Sequence, residues 1–134
     1  MKRFGNLLMS SRAVKTTEHN EQHWFFDACA VRANFDRRYA LPFAVPNAGK
    51  RSIGALLYYK AEGLKPGVPD ICVPVPVGGF HGAFIEMKVG SNKPSDNQRW
   101  WLSELQKQGF AVTVKYSGAD AFEWIEQYFA GALA

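Results

Sequence analysis

Three residues in the middle of the chain have the types and spacing for metal-assisted hydrolysis. Asp70 follows the turn Gly67-Val68-Pro69 and opens the apolar run Ile71, Cys72, Val73. Glu86 and Lys88 lie two residues apart in the run 83–89. Alternate strand residues share a face, which puts Glu86 and Lys88 together and Ile85, Met87 and Val89 on the other side. Charge on such a strand is costly to bury unless it is paired or used. If the two segments pair, both carboxylates meet at the sheet end, where a hard divalent cation would take oxygens from them, from phosphate and from water. Lys88 would orient the attacking water and offset the charge developing on phosphate. A bare Glu-x-Lys also describes an ordinary charged strand, so the surroundings decide.

The flanking sequence supplies elements able to hold these groups. Thr16 and Thr17 offer an N-cap, Glu18 and Glu21 suit a first turn, and Gln22, Phe25, Phe26, Cys29 and Ala30 recur at helical spacing, predicting a helix over about 18–33. Glu18 and Gln22, at i and i+4, share a face from which they could complete a metal shell directly or through water. Prolines at 42 and 46 punctuate a short strand at a sheet edge. A turn at 47–51 carries Lys50 and Arg51 ahead of a helical pattern that stops at Gly63; it could hold phosphate or simply be solvated. Strands at about 70–75 and 82–88 form a hairpin around Gly78-Gly79. Ser95 caps a helix over 96–108, with Gln98 just inside it, Trp101, Leu102 and Leu105 on its inner face, and Gly109 at its end. A strand at 110–116 and a helix at 119–130, with Phe122, Ile125 and Phe129 inward, complete an α/β fold: a mixed sheet flanked by helices.

Composition sets the outer bounds. The 134 residues make one domain, read as a basic arm at 1–16 with Lys2, Arg3, Arg12 and Lys15, then a folded domain at 17–134. A net charge of +4 permits a polyanionic partner without requiring one. Cys29 and Cys72 read as buried free thiols of a reducing compartment. The apolar runs are too short for a bilayer span or a signal peptide, so a cytoplasmic protein without membrane association is expected. The sequence carries no glycine motif for a nucleotide cofactor and no partnered Ser or Cys nucleophile. His19, His23 and His81 read as scattered, and the four tryptophans read as packing residues ahead of base-stacking ones.

The ordered set of motifs resembles the VRR-NUC (virus-type replication-repair nuclease) family of the PD-(D/E)xK nucleases, in particular its small stand-alone phage members. The matching stretches are Thr17-Glu18-His19-Asn20-Glu21-Gln22, Val45-Pro46-Asn47-Ala48-Gly49-Lys50-Arg51 and Leu64-Lys65-Pro66-Gly67-Val68-Pro69-Asp70. They continue through His81-Gly82-Ala83-Phe84-Ile85-Glu86-Met87-Lys88 and Pro94-Ser95-Asp96-Asn97-Gln98-Arg99-Trp100-Trp101 to Gly109-Phe110. The resemblance implies a restriction-endonuclease-like core and a Mg²⁺- or Mn²⁺-dependent DNA endonuclease. It implies a catalytic set of Asp70, Glu86 and Lys88 with Glu18 and Gln98, and a metal held by Asp70, Glu86, Glu18 and the Met87 carbonyl. DNA contacts are expected from Asn47, Lys50, Arg51, Lys93, Ser95 and Arg99. A homodimer acting on branched DNA, such as four-way junctions or flaps, is expected as well. Glu21 stands as an alternative to Glu18, and a non-cleaving module that binds branched DNA or a replication partner stands as the alternative function.

Overall fold

The computed structural model describes residues 15–46 and 52–133. Helix α1 (Glu18–Arg32) leads through a short 3-10 turn (Arg37–Ala40) to strand β1 (Phe43–Ala44) and helix α2 (Ile53–Ala61). Strands β2 (Ile71–Val73) and β3 (Ala83–Met87) follow, then helix α3 (Asp96–Lys107), strand β4 (Ala111–Lys115) and helix α4 (Gly118–Phe129). Most of the basic arm, and Asn47, Lys50 and Arg51, lie outside the described residues.

The two charged segments pair. β2 and β3 run antiparallel with Ile71 opposite Ile85 and Val73 opposite Ala83. The sheet order is β1-β2-β3-β4, antiparallel up to β3 and parallel between β3 and β4. A parallel neighbour needs a long crossover, and α3 supplies it. β1 is only two residues long and both are exposed. Its flanking Pro42 and Pro46 cannot donate to a ladder, which limits pairing there.

Caps set the helix ends. The side chains of Thr17, Ser95 and Ser117 accept the N–H groups of Asn20, Gln98 and Asp120, so each helix begins where a hydroxyl replaces a missing intrahelical acceptor. Gly109, at φ +90°, ends α3 in the left-handed region that favours glycine.

The core lies between the sheet and the α1–α4 pair: Phe25 and Cys29 of α1, Ile71 and Val73 of β2, Ile85 and Met87 of β3, and Ile125, Tyr128 and Phe129 of α4. Ala30 departs from the expected inner stripe and is exposed, while Cys72 is half-buried because its side chain falls on the opposite face of β2 from Ile71 and Val73. α2 is the helix its pattern predicts, yet none of its residues is buried.

α1 and α4 approach closely at one point. A Cβ placed on Gly118 would fall 2.3 Å from the Glu21 carbonyl oxygen and 3.0 Å from the Trp24 ring. The same contact lets the Glu21 carboxylate accept the Gly118 N–H at 2.9 Å. Gly118→Ala must therefore spread the helices that carry the core. It is expected to destabilise the fold by about 1–3 kcal/mol, read from urea unfolding midpoints, whereas an unchanged midpoint would show that the seam is not tight.

Candidate active site

One step of register beyond the Ile71–Ile85 pair sets Asp70 opposite Glu86. Asp70 is held from three directions. Its Oδ2 accepts the Met87 N–H at 2.8 Å, and its carbonyl accepts the Val45 N–H at 2.7 Å, fastening it to β3 and to the β1 segment. The turn before it is anchored by α3: the Pro66 carbonyl accepts both the Asn97 amide at 2.9 Å and the Trp101 indole N–H at 3.1 Å. Gly67 sits at φ +87°, and a Cβ there would meet Asn97 Nδ2 at 2.8 Å, so glycine is required on both counts.

Glu86 is 1% exposed, and neither of its carboxylate oxygens has a hydrogen-bond partner. The nearly buried Lys88 ammonium lies 3.8 Å from Glu86 Oε1 and 3.9 Å from Glu18 Oε1, so one cation stands between the strand carboxylate and the helix carboxylate. Burial raises the Glu86 carboxyl, and the adjacent Asp70 carboxyl raises it further; Lys88 opposes this and Glu18 adds to it, leaving the group pushed up to about 9. Protonated, Glu86 can share its proton with Asp70. Ionised, it is a desolvated anion beside a like charge.

That donor set fits a hard divalent cation. Two orphaned oxygens on a rigid strand, next to a second carboxylate, are the arrangement such an ion would relieve. Among the described residues no three His, Cys, Asp or Glu side chains converge tightly enough to hold an ion by themselves. An ion here would therefore also draw on backbone, water or substrate oxygens, and the Met87 carbonyl is the backbone group that the family resemblance implies.

The remaining sequence candidates divide. Glu21 is committed elsewhere: it accepts from Thr16 Oγ1 and from the Gly118 N–H, which hold its carboxyl below the usual range, in that order of effect. Glu18 is thus the first-turn carboxylate that faces Lys88. Gln98 and Ser95 form a reciprocal capping box, with Gln98 Oε1 accepting the Ser95 N–H at 2.9 Å. The Arg99 guanidinium bonds Asp96 and the Pro94 carbonyl, so part of its donor fork is spent within α3. Lys93 is exposed. An open cavity of about 500 Å³ adjoins the acidic group, lined by Glu18, His19, Gln22, His23, Phe26, Ala44, Val45 and Asp70. His19 and His23 read as scattered in the sequence, although their own i, i+4 spacing, beside that of Glu18 and Gln22, was the available signal.

A hairpin presenting Asp70 against Glu86-x-Lys88, with a helix carboxylate above and a parallel strand beyond, defines a nuclease-type α/β domain of the PD-(D/E)xK kind. The chain belongs to the VRR-NUC family, whose domain model matches residues 13–119. A solved structure described as a "VRR_NUC domain protein" superposes with a TM-score of 0.73 over 87% of this chain and 91% of that one, at 23% sequence identity, a likeness of fold. No curated protein matches the sequence. Family membership carries a nuclease-type, DNA-related function, and among the described residues no helix is long and apolar enough to cross a membrane.

The raised Glu86 carboxyl fixes a pH dependence for metal-free protein. The unfolded chain loses this proton near 4.5 and the folded chain near 9, so between those values the folded state holds the extra proton and stability falls as pH rises. In EDTA, wild type should lose stability against Glu86→Gln across that window, by at most about 1.4 kcal/mol per pH unit. Parallel pH–stability curves for the two proteins would contradict the assignment.

Proposed function

We propose that the protein is a Mg²⁺- or Mn²⁺-dependent DNA endonuclease that hydrolyses phosphodiester bonds and selects branched DNA. The observation that carries this reading is the buried Glu86 carboxylate with two unpartnered oxygens, opposite Asp70 and 3.8 Å from Lys88. A structural domain gains nothing from such a cluster, since gathering two carboxyls beside one cation that is shared with Glu18 costs stability and an apolar residue of similar size would serve better.

In this reading Asp70, Glu86 and the Met87 carbonyl would hold the ion, and Glu18 would complete its shell directly or through water. The bound ion supplies Lewis acidity toward phosphate and a lowered water pKa. The chain's own residues do the rest. The Met87 N–H fixes the Oδ2 oxygen of Asp70 and with it the carboxylate's orientation. Lys88, held near Glu18 and Glu86, orients water toward the phosphate and counters charge that grows on its oxygens. Ser95 and Lys93, before α3, would meet the backbone of DNA, and Arg99 would join them by exchanging its Asp96 contact for phosphate. Gln98 keeps α3 capped and supports the site through that role. Two sites in a homodimer would let so small a chain address both strands of a junction.

Cleavage of labelled duplex, flap and four-way-junction DNA tests the reading. Wild type should cut a branched substrate with Mg²⁺ or Mn²⁺ and not in EDTA. Asp70→Ala and Lys88→Ala should each lose about 100-fold or more in rate while remaining folded. Tight junction binding with no cutting in either metal would instead favour a non-cleaving module.

The metal can be tested without DNA. An ion that binds only the folded state stabilises it by about 2.7 kcal/mol at one hundred times its dissociation constant. Mn²⁺ should therefore raise the melting temperature of wild type and leave Asp70→Ala unmoved. An equal shift in both would place the ion elsewhere.

A further inference from the structure

The cavity beside the acidic cluster has walls that hydrolysis itself does not use. On one side α1 presents His19 and His23, with ring centroids 6.3 Å apart, above the half-buried Phe26. Ala44 and Val45 of the β1 edge line it as well, with Asp70 and Glu18 of the acidic group. Among the described residues no Lys or Arg lines the space, so beyond the ion that Asp70 and Glu18 would hold it offers no cation to a phosphate. A neutral flat ring needs none. It can stack on an imidazole, lie against the apolar wall, and turn its polar edge to the Gln22 amide and to water.

The position of the cavity says which ring. Asp70 and Glu18 belong both to the cavity wall and to the group that would hold the scissile phosphate, so an occupant of the cavity lies beside the cut. We propose that this cavity receives the base of an unpaired nucleotide flanking the scissile phosphate, and that selection of branched DNA originates there. In an intact duplex that base is paired and stacked and must be pulled out at a cost; in a single-stranded flap it is already free, and at a branch point where stacking is interrupted the cost is lower. The inference rests on the nuclease reading and adds to it the part of the substrate that is recognised.

The test is binding of a fluorescent flap DNA in Ca²⁺. Intact strands are compared with strands carrying a single abasic residue at successive positions around the branch point. For wild type, one position should stand out, its abasic form binding about tenfold more weakly. That difference should largely disappear in the His19→Ala/His23→Ala double variant, which removes the stacking rings from an exposed helix face, and in Ala44→Trp, which fills the space. The two variants act through different walls, so misfolding of one does not remove the test. An abasic scan that is flat in wild type, while wild type still cuts the flap with Mg²⁺, would overturn this inference alone. Failure to bind or cut any DNA would overturn it together with the nuclease reading.

Discussion

The structure turns on the burial of Glu86 next to Asp70 with no donor for either Glu86 oxygen. A carboxylate in that position is stabilised by a proton, by Lys88 at 3.8 Å, or by something brought from outside. Lys88 cannot do it alone, because it also faces Glu18 and is itself almost buried. The site is therefore a deficit held open by the fold. Strongly perturbed carboxyls of this kind concentrate where proteins bind ions or move protons.

The rest of the chain can be understood as the support that keeps the deficit from relaxing. β2 and β3 fix Asp70 and Glu86 by register, and the core residues Ile71, Ile85 and Met87 lock those strands. α3 reaches across through Asn97 and Trp101 to hold the Pro66 turn, so the strand that carries Asp70 cannot slide without breaking two hydrogen bonds. α1 carries Glu18 and is set against α4 by the Glu21–Gly118 contact and by the Arg32–Glu126 pair at 3.0 Å. Rigid elements thus place each charged group, and the open cavity is left between the first turns of α1 and the weakly paired β1 edge.

Much of this was legible in the sequence because it depends on local chemistry. Ser95 and Thr17 mark helix starts, Gly109 marks a helix end, and the i, i+2 spacing of Glu86 and Lys88 sets their common side. The order of the motifs was enough to anticipate the family and the mixed sheet. What stayed hidden depends on partners distant in the chain. The first-turn carboxylates Glu18 and Glu21 look equivalent until α4 arrives and takes Glu21 through the Gly118 N–H, ninety-seven residues away. Trp101 reads as an apolar packing residue, yet its indole N–H is spent on Pro66. Arg99 is expected in the sequence as a DNA contact, but Asp96 and Pro94 engage its guanidinium. His19 and His23 gain meaning only when the β1 edge closes the far side of their cavity.

The central claim is that the buried Glu86 carboxyl keeps its proton until a divalent ion displaces it. Titration calorimetry with Mn²⁺ near pH 7, repeated in buffers of different ionisation enthalpy, counts the protons released on binding. The account predicts about one proton released per ion by wild type and none by Glu86→Gln, because ligands must be deprotonated to bind. Mn²⁺ binding that releases no proton from wild type, or the same number from both proteins, would contradict it.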